Sequence, residues 1–474
     1  MTTRTTSEEK QAASDDASRY LLTLSKTTSP KASGLTKALH YRDADSSRAK
    51  RARTRLSDIS SDDDLGEGPD HIRSSYAKSG SLFANADEFW AVVGWAFNCS
   101  VVHKHRWTRW KIWLELMLDI LQDDLESTYQ EYRDSNPRDE KILNTSLIAQ
   151  YLAPYADQGR NSKRRIMRAI LADGQKPSLN QFPEIWRNET LPPKNTKPPE
   201  LGTKRPLDLD HGEYGDYFDS ESDSETTTPA DTSLPPRPKR TSARGTHSPA
   251  TLGTPSTPQP PSSNNNPSTS THGPPSSLHL RLRLLTLLSR FTTLHPTFFL
   301  DFQDLLGLYT EFLRPLPLPV FTYFLLSSPA SSPNIQNQHH SLDVHSLSPL
   351  LQTLLSALLS TSHAPPHRSY DLTWEIFALH FAPYAAGGVS VGENARVGVC
   401  VEGLLRLLVS EEEDIGAGGG DEGLKLWDMV REAVERGVRG REEKVGGGAG
   451  KDREGWGALV SGGERMGGLL DVVR

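Results

Sequence analysis

Arg106–Arg133 reads RWTRWKIWLELMLDILQDDLESTYQEYR. Its apolar positions Trp110, Trp113, Leu114, Met117, Leu121, Leu125 and Tyr129 step by three and four, which sets them on one face of a long helix. Asp119, Asp123 and Asp124 fall mostly off that stripe and read as a solvated face. On the N-terminal side, Asn85 or Asp87 can cap a helix carrying Phe89, Trp90, Val93 and Phe97. On the C-terminal side, Asp139 or Asn144 opens a third helix, with Pro154 as its stop. Asn161 or Ser162 caps a fourth, KRRIMRAILADG, which Gly174 ends. Phe182, Ile185 and Trp186 close the pattern. The spacing predicts one small helical bundle over residues 81–190.

The texture changes on both sides of this block. Residues 1–80 are rich in Ser, Thr, Asp, Lys and Arg without a sustained period, and are expected to be disordered. Residues 191–277 carry Pro pairs, DSESDSE and TPSTPQPPSSNNNPSTSTHGPPSS, the composition of a disordered linker. Residues 278–410 are Leu-rich and interrupted by Pro. There Phe298, Phe302, Leu305, Tyr309 and Phe312 form one helical face, Pro349 opens a Leu-rich helix, and Trp374, Phe377 and Phe381 mark another. LHLRLRLLTLL alternates like a strand in its first half and is read as helix. Residues 411–474 form a Gly-rich acidic tail with one helix near 421–439. The expected fold is all-α: a small bundle and an irregular Leu-rich helical array joined by a long linker.

Composition narrows the function classes. The chain has 474 residues, 35% hydrophobic, with 33 Pro and 36 Gly, so a large share cannot bury enough apolar surface to offset ordering. A net charge of -7 excludes a histone-like protein that binds DNA through bulk charge. Two cysteines make neither a disulfide framework nor a four-thiolate zinc site, which points to a reducing compartment. The first twenty residues lack the apolar core of a signal peptide, and no apolar run reaches a membrane span.

At RWTRWKIWL and RRIMRAILADG, and more loosely at LYTEFLRPLPLPVF, the sequence resembles a group of conserved fungal proteins of uncharacterised function. The resemblance implies a helical fold and a nuclear setting, and it supplies no reaction, ligand or site residue.

The motifs that suggest enzymes fail on context. GVSVG places Ser390 as in a nucleophile elbow, but no histidine follows His380 to complete the triad. GGGDEG has dinucleotide-loop spacing, yet EEED precedes it where a pyrophosphate would be repelled. GGGAGKD ends in Gly-Lys-Asp and is no phosphate loop. Cys99, His103 and His105 lack a fourth metal ligand, and Lys104 and Arg106 beside them repel a cation. The expectation is therefore a non-enzyme without cofactor or metal.

Three features remain. Trp107, Trp110 and Trp113 build the bundle's core, line a partner groove, or form a cation–π or nucleic-acid face with the interleaved Arg106, Arg109 and Lys111. Lys163, Arg164, Arg165 and Arg168 sit on one short helix and either face solvent or contact nucleic-acid phosphates. RAKRARTR (Arg48, Lys50, Arg51, Arg53, Arg55) and PPRPKR (Arg237, Lys239, Arg240) fit the acidic groove of an import receptor. Ser57, Ser60 and Ser61 precede acids. Ser29, Thr228, Ser248, Thr254 and Thr257 precede Pro, so acid-directed and proline-directed kinases could modify both sets. Together these indicate a nuclear, phosphorylated adaptor or chromatin-associated regulator that binds proteins and does not insert in a membrane. DNA binding through the basic helix is the alternative, and an enzyme with an unrecognised site the third reading.

Overall fold

The computed structural model describes residues 8–39, 82–135, 139–186, 189–190, 270–327, 344–359, 370–411, 420–446 and 452–473. Among them there is no strand beyond one isolated bridge between Leu359 and Ala386, and the fold is all-α. None of its helices is long and apolar enough to cross a membrane. Both basic clusters, Arg48–Arg55 and Arg237–Arg240, lie outside the described residues. So do Ser57, Ser60, Ser61, Thr228, Ser248, Thr254 and Thr257.

The N-terminal half holds α1 (Glu8–Thr27), α2 (Leu35–Ala38), α3 (Leu82–Asn85), α4 (Phe89–Val102) and α5 (Lys104–Asp134). A 3-10 turn (Glu140–Thr145), α6 (Leu147–Ala156), α7 (Arg160–Ile170) and α8 (Lys176–Gln181) complete it. Asp139 caps the turn by accepting from Lys141 N, and Ser146 caps α6 by accepting from Ala149 N. Pro154 does not stop α6, which runs two residues past it. So near a C-terminus a proline forfeits only one ladder bond. Gly174 follows α7 at φ 71 and donates its N–H to Asn98 Oδ1 at 3.0 Å. Gly94 sits where a Cβ would lie 2.4 Å from the Phe182 ring, so α4 packs on that ring through bare backbone.

The C-terminal half begins with α9 (Pro275–Leu294), followed by α10 (Phe302–Leu313), α11 (Leu318–Leu326) and α12 (Val344–Leu358). Next come α13 (Trp374–Ile376) with a π turn (Phe377–Phe381), α14 (Val391–Glu411), α15 (Gly420–Val445) and α16 (Arg453–Val473). GVSVG spans the end of the loop and the first two residues of α14, where Ser390 O accepts from Asn394 N at 3.1 Å.

Four outcomes differ from the sequence reading. Residues 8–39, expected as disordered, form α1 and α2. The linker, expected to reach 277, yields to structure by 270, with a 3-10 turn at Ser270–His272. The Gly-rich tail holds two long helices rather than one. And the Trp-rich and Leu-rich blocks fall in one compact unit, Met1–Pro192 with Asn266–Arg474; residues 193–265 lie outside the described residues.

The last difference has its cause in α9. Leu278, Leu280, Leu282, Leu284, Leu285, Leu287, Leu288 and Phe291 are all buried and cover most of the helix surface, leaving a narrow face where His279 and Thr286 are half-buried and Arg290 and Thr293 exposed. So wide an apolar surface needs neighbours on more than one side. It packs on α5 and α7 of one block and on α10 and α11 of the other. The alternation in LHLRLRLL is a helix whose two arginines are also buried. The Arg281 guanidinium donates to Ile170 O (2.6 Å), Ala172 O (2.8 Å) and His272 O (3.3 Å) and lies 4.2 Å from the Phe97 ring centroid. Arg283 pairs with Asp119 at 2.7 Å.

Candidate partner-docking face

The long helix α5 presents two faces. One enters the core with Trp107, Trp110, Leu114, Met117, Leu118, Leu121 and Leu125. On this side a fully enclosed carboxylate, Glu189, gathers three donors. It accepts from Trp95 Nε1 (2.9 Å), from Trp110 Nε1 (2.8 Å), and from Arg106 Nε (2.9 Å) and Nη2 (2.6 Å). Trp107 is 5% exposed and Trp110 0%. Of the three groove tryptophans considered from the sequence, these two are core residues, because their indoles are committed to Glu189 and to ring packing with Phe97 and Trp186.

Trp113 lies differently. It is half-buried, and with Arg109, Ile112 and Leu116 it forms a second stripe at spacing i, i+3, i+4, i+7. Helix α1 lies across that stripe with Ser14, Ala17, Ser18 and Leu21, which have the same spacing. Two matched stripes of this kind make a short helix–helix seam. Three of the four α1 residues are small, however, and a cavity of about 70 Å³ remains between the helices. Large apolar side chains at those positions would fill it.

Polar contacts fasten the rest of the N-terminal segment. Asp15 pairs with Arg109. Lys31 Nζ lies 2.6 Å from both carboxylate oxygens of Glu131 near the far end of α5. Leu35 is buried, and Tyr151 Oη donates to Leu39 O at 2.6 Å. The result is a strap: a helix, a turn and a second short helix laid along α5.

The basic helix α7 is occupied elsewhere. Arg164 pairs with Glu311 of α10 at 2.8 Å, and Arg160 reaches the same carboxylate. Arg165 pairs with Glu88 at 2.7 Å, and Lys163 lies 5.5 Å from the Phe299 ring centroid. Arg168 is exposed, with no ion pair among the described residues. Three of the four candidate phosphate contacts thus hold neighbouring elements.

Several titratable groups are enclosed as well. Burial pushes the Cys99 and Cys400 thiols up, away from the thiolate form. Burial, with Arg281 adding to it, pulls His272 down to about 3. Burial lowers Arg281 itself to about 9 and Arg441, bound to Ala382 O and Tyr384 O, to about 10.

Sequence reasoning missed the α1 stripe, Glu189 and Arg281. Ser14, Ala17 and Ser18 carry no apolar signal, and only Leu21 with its neighbours Leu22 and Leu24 hinted at a helix. Glu189 lies 79 and 94 residues from the two indoles it binds, and no local pattern connects them. No family model, curated protein or solved structure matches this chain.

Proposed function

We propose that the protein is a non-enzymatic nuclear adaptor that holds a partner's amphipathic helix on the second face of α5. The observation that supports this reading most is that a helix already lies there and fills the seam poorly. A face with Ile112, Trp113 and Leu116 flanked by Arg109 suits helix-in-groove recognition. The partner helix would carry large apolar residues at i, i+3 and i+4 and an acid to meet Arg109, in place of Asp15. The nuclear assignment rests on the two basic clusters in the sequence, RAKRARTR and PPRPKR. The enclosed charges Glu189, Arg281, Glu402 and Arg441 support the non-enzymatic side, since each is consumed by contacts within the fold.

The test places a photo-crosslinking residue at Ile112 in cells. A crosslinked partner should increase when residues 8–27 are deleted and vanish in Trp113→Asp. A crosslink indifferent to both changes would refute the assignment of this face. A fluorescent fusion that stays nuclear after both basic clusters are replaced by Ala would refute the address.

A further inference from the structure

Among the described residues only Ser29 and Ser348 stand before a proline as hydroxyl-bearing residues. Ser348 is buried inside α12, and its Oγ accepts from Gln352 Nε2 at 3.2 Å. Ser29 is exposed, in the connection between α1 and α2, within Ser29-Pro30-Lys31. We propose that Ser29 is a phosphorylation site of a proline-directed kinase and that the phosphate loosens the α1–α2 strap from α5. In the transfer, Ser29 Oγ forms an ester bond to the γ-phosphorus of ATP as the bond to the β–γ bridging oxygen breaks. ADP leaves, and the hydroxyl proton passes to the kinase's general base.

The local geometry explains why the charge acts on the strap. Ser29 caps the turn that leads to α2: its Oγ accepts from Ala32 N at 3.3 Å and its carbonyl from Ser33 N at 3.0 Å. Pro30 follows as the first residue of the turn, an arrangement suited to a cap. Lys31 is two residues on, at most ~7 Å along the chain. Lys31 is also the latch on α5, with both Glu131 oxygens at 2.6 Å.

A phosphoserine carries about -1.5 to -2 charges and three strong acceptor oxygens, against a single charge on Glu131. It competes for Lys31 from within the same turn and repels Glu131 at the same time, over distances that a ~8 Å Debye length does not fully screen. Glu131 has a further reason to need Lys31. Burial lifts the Asp124 carboxyl above its usual range; Leu147 N–H and Lys31 hold it down, and Glu131 pushes it up. Lys31 is therefore the cation that lets two α5 carboxylates share one end of the helix. The proposal concerns the strap alone and stands whichever partner α5 receives.

The experiment uses the full chain, ATP and a cyclin-dependent kinase, with site mapping by mass spectrometry and amide hydrogen exchange as the readout. Phosphate is expected on Ser29, with exchange over residues 8–39 rising up to about five-fold, the release set by one half-exposed ion pair. Exchange over 107–129 should not change. Ser29→Asn keeps a capping side chain but cannot take phosphate, and its exchange should be insensitive to the kinase. Lys31→Ala should raise exchange over 8–39 without kinase, and the phosphate should then add little. An unmodified Ser29 overturns the site. A modified Ser29 with unchanged or slower exchange overturns the release, and a full additional effect in Lys31→Ala overturns the latch.

Discussion

Ser18→Leu tests whether the α1 seam is the weak joint of the fold. Ser18 is half-buried, lines the 70 Å³ cavity with Ile112, Trp113 and Leu116, and spends its hydroxyl on the Ser14 carbonyl of its own helix at 2.8 Å. Losing that local bond costs the helix little, because such back-bonding does not support helices. Filling the void recovers about 24 cal/mol per Å³, or about 1.7 kcal/mol if the leucine occupies it fully. The added methylenes, at about 0.8 kcal/mol each, give a gain of the same order. Since ~1.4 kcal/mol is tenfold in an equilibrium, the closed strap should become about 15- to 20-fold more favoured. Amide exchange over Glu8–Thr27 should slow by that factor, while exchange in the α4–α7 core stays as it was. A partner helix that must displace α1 should bind weaker by the same factor, and removal of residues 8–27 should cancel the difference between variant and parent. Unchanged exchange over α1, or partner binding untouched by a demonstrably tighter strap, would refute the reasoning.

Other substitutions probe the buried charges. Glu189→Gln removes the partner of Arg106, whose side chain is 6% exposed, and should cost about 3–5 kcal/mol in urea unfolding, since breaking a buried pair strands the remaining charge; a loss below ~1 kcal/mol would mean the pair is not enclosed. Arg281→Met orphans the carbonyls of Ile170, Ala172 and His272 and should cost about 3 kcal/mol, read as one lowered melting transition for both halves together; two separated transitions in the parent protein would contradict the shared unit. His272, pulled from 6.5 to about 3 in the folded chain, binds its proton in the unfolded state first. Its contribution is therefore complete above pH 6.5 and is lost as pH falls toward 3, at up to about 1.4 kcal/mol per pH unit. His272→Gln should flatten the acid limb of stability by up to one proton, leaving the smaller parts from His279 and His295, which burial shifts in the same direction.

The helical class and most helices could be read from the chain because they rest on local rules. The α5 stripe, the Asp139 cap and Gly174 concern residues within a turn or two of one another, whereas Asn161 and Ser162 do not cap α7, which starts from Gly159, and α4 starts from Glu88 rather than Asn85 or Asp87. What could not be read depends on contacts distant in sequence. LHLRLRLLTLL looks ambiguous because its two arginines are buried among the leucines, so polarity does not mark the solvent side; Arg281 finds carbonyls about 110 residues away and Arg283 the side chains of Asp119 and Gln122. The Gly-rich tail looks unfit for helix, yet α16 is helical because it packs on α14 and α15. Gly463 lets Val438 approach where a Cβ would lie 2.8 Å from it, and Arg465 is clamped to Glu402 by two bonds of 2.8 Å. Tertiary contacts of this kind override the ~1 kcal/mol that each glycine costs a helix. The fate of the three tryptophans was open for a similar reason. The stripe fixes that they share one helix; Glu189 and α1 decide which side each serves.

Two of the seams on α5, with α9 and with α1, explain where movement belongs. Toward α9 the helix meets buried leucines, with Arg283 paired to Asp119 and Arg290 to Glu126, and separating these surfaces would expose a core at about 1.5–3 kcal/mol per large side chain. Toward α1 it meets two serines, an alanine and a leucine over a void, fastened by Asp15–Arg109 and Lys31–Glu131. Half-exposed pairs of that type contribute at most about 1 kcal/mol each and weaken with salt. Local opening follows the least stable contacts. The strap therefore opens before the α5–α9 seam, and it uncovers the stripe of Ile112, Trp113 and Leu116. Raising salt should speed exchange over residues 8–39 well before it affects the α5–α9 seam. That order links the weak packing of α1 to the face assigned to a partner: of the two seams, the one that opens more readily is the one that covers the docking surface.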